Sequence, residues 1–259
     1  MNMVFKTTLV CEVFELVRFI LCAVWTVLFL ILSLPLVLIA LIIHLFSPMA
    51  RAKYSQAIIG AAFRMVTFLA GTRIVVKGRE NVPEGAVLYT PNHRSIFDII
   101  ITYPLCKGQT GYVAKRETKK FPVFAQWMML MNCQFLDRSD LRSGLKMINK
   151  AVELINEGSS VCIFPEGTRN KGTEILQPFH DGSLKIAEKA GCPIVPVTIN
   201  GSAEIFEAQF PRVKKTTVII EYSKPIETKG LSRQEFRELS AQVQETIKTN
   251  YVKNLELIK

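Results

Sequence analysis

The run Ala86-Val87-Leu88-Tyr89-Thr90-Pro91-Asn92-His93-Arg94-Ser95-Ile96-Phe97-Asp98 passes from an apolar strand, through a Pro-Asn turn, into the opening of a helix. A short apolar run bounded by turn residues is the pattern of a strand buried on both faces. A second strand leaves in the same way at Val161-Cys162-Ile163-Phe164-Pro165-Glu166-Gly167-Thr168-Arg169. Working outward from these two, the pattern predicts strands over 73–77, 86–90, 111–114, 134–137, 160–164, 194–199 and 217–222. Helices are expected after Ser95, Pro122 and Asp140, over 182–190 with Gly191 as the stop, and from 231 to about 254. This alternation argues for an α/β domain with a largely parallel central sheet flanked by helices, whose ligands gather where strand ends meet loops.

The 259 residues carry 32 Lys+Arg against 22 Asp+Glu, a net charge of +10, yet 49% of them are hydrophobic. A mean hydropathy of +0.24 beside a pI near 9.4 is unusual for a basic chain and implies that apolar and basic residues are segregated. They are: from Phe19 to Phe46 there is no charged residue, with Lys6 and Arg18 before it and Arg51, Lys53 and Arg64 after it. As one helix this stretch would be roughly 42 Å long, against a hydrocarbon core of about 30 Å. It is too long for a signal-peptide core and is read as a retained membrane segment. Pro35, after Ser33-Leu34, leaves two geometries open, a single kinked span or a helical hairpin bent at 33–35. The excess of Lys and Arg outside the segment puts the basic body on the cytoplasmic side of a cell membrane. From 51 to 70, polar residues recur at helical spacing, which suits either a helix packed on the core or one lying at the lipid interface. The expected division is therefore 1–70, anchor and interfacial helix, and 71–259, the α/β domain. Six scattered cysteines without a Cys-x-x-Cys pair suit neither a zinc site nor a disulfide framework. In a cytoplasmic body, Asn200-Gly201-Ser202 is a turn and not a glycan acceptor.

Three histidines exist, and His44 falls in the lipid segment. In a regular helix His93 and Asp98 are rotated about 140° apart. If His93 lies in the turn and Asp98 in the first helical turn, the carboxylate can reach an imidazole nitrogen and make a base with its orienter. Ser95-x-x-Asp98 reads equally as a capping box. At the second strand end, Pro165 and Gly167 force a loop from which Glu166, Thr168 and Arg169 project; Arg169 offers a planar fork suited to phosphate, and a solvated surface loop is the alternative. Lys115-Arg116 and Asp137-Arg138 end two further strands, as cations for an anionic group or as ordinary turn and surface residues. The segment from Gly167 to Thr173 lacks the lysine of a nucleotide P-loop, there is no G-x-S-x-G elbow, and no metal-ligand cluster is spaced for a site. No nucleic-acid signature accompanies the basic charge, which has a nearer partner in anionic lipid.

Taken in order, Asn92-His93-x-x-x-x-Asp98, Phe135-Leu136-Asp137-Arg138, Phe164-Pro165-Glu166-Gly167-Thr168-Arg169 and Cys192-Pro193-Ile194-Val195-Pro196-Val197 resemble the four motifs of the glycerolipid acyltransferase family, most closely its 1-acyl-sn-glycerol-3-phosphate (lysophosphatidic acid) acyltransferases. The resemblance covers roughly 75–222. It implies His93 as general base with Asp98 as its partner. Glu166, Gly167, Thr168 and Arg169 would hold the glycerol phosphate, with Lys115 and Arg138 as further phosphate contacts. It further implies transfer of an acyl chain to the sn-2 hydroxyl of lysophosphatidic acid, giving phosphatidic acid. Acyl-CoA or acyl carrier protein would be the co-substrate, with no cofactor and no metal, and the lipid bilayer a partner. Two departures stand out: Asn132 where the second motif usually begins with Gly, and His180 where a Lys is common after the third. They leave acylation of another lysophospholipid or of glycerol 3-phosphate open as an alternative, beside a non-catalytic protein that binds anionic lipid.

Overall fold

The computed structural model describes residues 2–258, with side chains described from residue 10 onward except at positions 181 and 233. Strands β1 (Arg73–Lys77), β2 (Leu88–Pro91), β3 (Thr110–Lys115), β4 (Gln134–Leu136), β5 (Ser160–Cys162), β6 (Ile194–Asn200) and β7 (Thr217–Tyr222) form one sheet in the order β1-β7-β6-β2-β5-β3-β4. The block β6-β2-β5-β3-β4 is parallel, β7 is antiparallel to β6, and β1 is parallel to β7. Helices are α1 (Asn2–Leu32), α2 (Leu34–Phe46), α3 (Pro48–Leu69), α4 (Phe97–Thr102), α5 (Pro122–Leu130), α6 (Leu141–Asn156), α7 (Lys185–Ala190) and α8 (Arg233–Ile258).

The two-residue period of the strands divides the apolar residues between two layers. Leu88, Val161 and Ile194 pack with Ile148, Leu154, Ile186, Val243 and Ile247 of α6, α7 and α8. Their neighbours Tyr89, Cys162 and Val195 face Cys22, Val37, Ile59, Val66, Ile101 and Trp127 on the N-terminal helices, α4 and α5. Each large side chain buried in this way contributes roughly 1.5–3 kcal/mol. Central β2 lies between β5 and β6, with Tyr89 opposite both Cys162 and Val195, so its carboxyl end opens at the middle of the sheet.

The apolar N-terminal segment bends at Pro35 without reversing. Ser33 keeps near-helical angles (φ −81°, ψ −4°), its N–H donates to Phe29 O at 2.8 Å and its carbonyl accepts from Val37 N at 3.0 Å. Because helical bonding continues across it, of the two geometries left open at 33–35 the hairpin is not formed; Pro35 only kinks the rod by offering no N–H to the preceding turn. Reversal comes at Ser47, whose extended backbone (φ −157°, ψ 112°) precedes Pro48 and whose hydroxyl accepts from Ala50 N. From there α3 returns along the kinked rod, with Trp25 Nε1 donating to Ala62 O at 3.2 Å. Ser55, Ile59, Ala62 and Val66 of α3 are buried, so this amphipathic helix packs on the core, leaving Phe68 exposed.

Element ends differ from expectation for local reasons. β5 stops at Cys162 because Phe164 turns out of the ladder, its carbonyl accepting from Gly167 N at 2.9 Å. α8 starts after Ser232, whose N–H donates to Glu235 Oε2 at 2.8 Å while its hydroxyl accepts from Glu235 N, a capping box that excludes Leu231. The helix expected from 182 is a 3₁₀ turn, Asp181–Ser183, followed by α7. Asn132 has a left-handed backbone (φ 63°), which asparagine adopts more readily than most residues and glycine most readily of all; this accounts for Asn at a motif position where Gly is usual.

Candidate active site

α4 begins only at Phe97, so His93 sits in the turn before it and Asp98 in its first turn. His93 Nδ1 lies 2.8 Å from Asp98 Oδ2, and the same oxygen accepts the backbone N–H groups of Arg94 (2.7 Å) and Ser95 (2.8 Å). The capping and orienting readings therefore describe one fully buried carboxylate. Nδ1 carries the proton when the imidazole is neutral, because only a donor satisfies that contact, and Nε2 is left as the basic nitrogen. Among the described residues, Nε2 has no hydrogen-bond partner. Phe164 stacks on the ring at 4.0 Å between centroids, and the imidazole remains 14% exposed.

The His93 backbone is held from the other strand end. Its N–H donates to Glu166 Oε1 at 2.7 Å and its carbonyl accepts from Asn170 N at 2.7 Å. Behind it, Asn92 is fully buried and exchanges two hydrogen bonds with the backbone of Ile199 on β6. Glu166 is 2% exposed and its second oxygen accepts from Gln177 N at 2.8 Å. Burial raises its carboxyl above the usual value, opposed by the N–H groups of Gln177 and His93. The expected contact between Glu166 and an acceptor phosphate does not match this placement: both oxygens are engaged inside the protein, and a carboxylate repels a phosphate.

Gly167 has φ 71°, and an added Cβ would sit 2.8 Å from His180 Cδ2 and 3.8 Å from Arg138 Cζ. The turn thus requires glycine, and it draws His180 and Arg138 to one side of the third motif. Thr168 and Arg169 project outward, and Arg169 Nη1 donates to Glu207 Oε1 at 3.1 Å. Lys115 ends β3 with its ammonium 3.4 Å from Glu117 and makes no hydrogen bond to His93 or Arg169. Beside it, Arg116 Nη1 donates to Asp137 Oδ2 at 2.7 Å; with Ser139, which is the larger influence, it holds the Asp137 carboxyl at about 2. The geometry so assembled is a backed imidazole with one nitrogen free among the described residues, an arginine joined through Glu207 to the turn that follows it, and two further cationic or protonatable groups, His180 and Arg138, around Gly167. Glu207, Asn170 and Gln177 carry no sequence signal of their own: Asn170 directly follows the third motif, whereas Glu207 lies in an irregular segment with no motif around it.

A family model described as Acyltransferase matches residues 73–200. A probable 1-acyl-sn-glycerol-3-phosphate acyltransferase of Mycoplasma pneumoniae is 33% identical over 205 residues, 73% of this chain and 76% of that protein. A 1-acyl-sn-glycerol-3-phosphate acyltransferase of Borreliella burgdorferi is 31% identical over 208 residues, 80% and 81% of the two chains. Among solved structures, the 1-acyl-sn-glycerophosphate acyltransferase PlsC of Thermotoga maritima shares the fold with a TM-score of 0.77 over 95% of this chain and 97% of that one, at 24% identity.

Proposed function

The chain belongs to the 1-acyl-sn-glycerol-3-phosphate acyltransferase family, and on that premise we propose that it moves an acyl chain from acyl-CoA or acyl carrier protein to the sn-2 hydroxyl of lysophosphatidic acid, yielding phosphatidic acid. One observation carries the reading: His93 Nδ1 is bound to buried Asp98 at 2.8 Å while Nε2 has no hydrogen-bond partner among the described residues, and Arg169 is tied through Glu207 to the turn that follows His93. Nε2 removes the proton of the acceptor hydroxyl as its oxygen attacks the thioester carbon, and Asp98 stabilises the imidazolium so formed. Collapse of the tetrahedral intermediate breaks the carbon–sulfur bond, and the imidazolium returns its proton to the leaving thiolate. No acyl-enzyme forms. Arg169, with Arg138 nearby, binds the acceptor phosphate through charge-assisted hydrogen bonds. Glu166 supports His93 from behind.

The outer faces of α1 and α2 support a seat in the lipid bilayer, and the excess of Lys and Arg outside the apolar segment supports the cytoplasmic side for the sheet domain. Val10–Leu32 has a mean hydropathy of 2.3, and Val24, Leu28, Ile31, Leu38 and Ile42 are exposed. There the acceptor and product are already dissolved, and the net charge of +10 favours encounter with anionic lipid and donor. The test is acyl transfer by purified protein in detergent against lysophosphatidic acid, glycerol 3-phosphate and lysophosphatidylcholine, with His93→Ala beside the wild type. Preference for lysophosphatidic acid, and loss of transfer with retained vesicle binding in His93→Ala, are expected. Equal use of the three acceptors would refute the acceptor assignment, and unchanged transfer by His93→Ala would refute the mechanism.

A further inference from the structure

Glu207 belongs to none of the motifs, yet its carboxylate meets two of them. Oε2 accepts from Ser95 Oγ at 2.5 Å, and Oε1 accepts from Ile96 N at 2.8 Å and from Arg169 Nη1 at 3.1 Å. Ser95 and Ile96 form the turn between His93 and α4, so one side chain joins the turn that holds the base to the arginine of the third motif. The segment that presents Glu207 is itself fastened. Ile205 is fully buried, Phe206 stacks on Phe19 of α1 at 5.8 Å with an interplanar angle of 12°, and Val213 N donates to Glu15 O at 3.1 Å. Arg212 adds ion pairs to Glu12 and Glu15 of the same helix.

We propose that Glu207 is a positioning residue for the acceptor phosphate: it holds Arg169 in a fixed orientation beside the His93 turn, so that the guanidinium is in place before the phosphate arrives. The proposal rests on the reading of Arg169 as a phosphate contact. A half-exposed arginine left unpaired spreads over many rotamers, and that freedom is lost on binding. Glu207 engages only one of the five guanidinium N–H donors, which leaves the others to an incoming phosphate. Its negative charge also opposes the phosphate; the Glu207 side chain is 19% exposed and Arg169 43%, so solvent screens that repulsion in part, and Glu207 meets the phosphate through the arginine between them. Orientation outweighs competition.

The experiment is acceptor kinetics in detergent for wild type, Arg169→Ala, Glu207→Gln, Glu207→Ala and the Glu207→Ala/Arg169→Ala double variant. Glu207→Gln keeps the size and an oxygen for Ile96 N but removes the charge. The acceptor KM is expected to rise about threefold in Glu207→Gln and about tenfold in Glu207→Ala, with kcat changing less. The double variant is expected to match Arg169→Ala alone, because the effect passes through that guanidinium. A residue serving stability alone would raise KM or lower kcat equally in both backgrounds, and that additive result overturns the proposal. So does an acceptor KM that is unchanged or lowered in Glu207→Gln, the latter being the mark of competition. If Glu207→Ala fails to fold, as its thermal melt would reveal, the Glu207→Gln result alone decides. Should Arg169→Ala leave KM at the wild-type value, the phosphate assignment falls and takes this inference with it. Should Arg169→Ala raise KM while both Glu207 variants do not, only this inference falls.

Discussion

Asp98 Oδ2 and Glu166 Oε1 act on opposite sides of His93: the first fixes the ring through Nδ1, the second fixes the backbone through its N–H. Neither points at the space beside Nε2, so each works by placing the imidazole. Glu166→Gln separates this role from phosphate binding. Glu166 accepts from two backbone N–H groups, His93 N and Gln177 N, and a glutamine can satisfy one only by turning its NH₂ against the other. The His93 turn then shifts, and a displacement of about 1 Å costs roughly 10²-fold in rate. We therefore expect kcat to fall by about that factor with the acceptor KM within about threefold of wild type. A large rise in KM at unchanged kcat would instead make Glu166 a substrate contact. The His93 and Asp98 pairing was legible because five residues and a turn suffice to build it. Glu207 was not, since its partners Arg169, Ile96 and Ser95 lie 38, 111 and 112 residues away in sequence, with only three-dimensional packing to join them.

At the scale of elements, the N-terminal rod is joined to the sheet domain by specific polar contacts as well as apolar ones. Trp127 Nε1 on α5 donates to Ser33 Oγ at 2.9 Å, at the kink, and both residues are 1% exposed. Ser33→Ala would leave the indole N–H buried without a partner, at a cost of about 1–3 kcal/mol. For a chain of this size the thermal midpoint in detergent should fall by roughly 2–12 °C. Adding Trp127→Phe should cost less than its effect in the wild type, since the orphaned donor is gone; strictly additive losses would mean that the bond is absent. β1 and β7 follow their predicted ranges to the residue, because each is a compact run of β-branched residues ended by a change in composition. The antiparallel turn of β7 against β6 was not legible, because strand direction depends on the path of the 201–216 connection and not on side-chain period. Which of the two geometries Pro35 makes was not legible for a related reason: proline alone gives a kink, whereas reversal also needs the extended backbone that Ser47 and Pro48 provide.

At the scale of the whole molecule, α1 has two faces with different duties. Leu28 and its neighbours Val24 and Ile31 point away from the protein, while Phe19 points inward and stacks on Phe206 in the segment that carries Glu207. On the proposed reading, seating in lipid and alignment of the acceptor site depend on one helix but on different residues of it, and two substitutions should separate them. Leu28→Lys places a charge on the outer face, at about 2.5–3.5 kcal/mol if that face lies in hydrocarbon. Binding to anionic vesicles, read by flotation, should weaken by roughly 10²-fold while kinetics on detergent-dispersed acceptor stay within about twofold of wild type. Phe19→Ala removes the inner stack and leaves the outer face intact, so vesicle binding should hold while the acceptor KM rises in detergent, in the same direction as for Glu207→Gln. Both variants losing vesicle binding and acceptor affinity together would mean that α1 acts as one inseparable fold element. Undiminished flotation of Leu28→Lys would show that this face of the helix does not meet the bilayer.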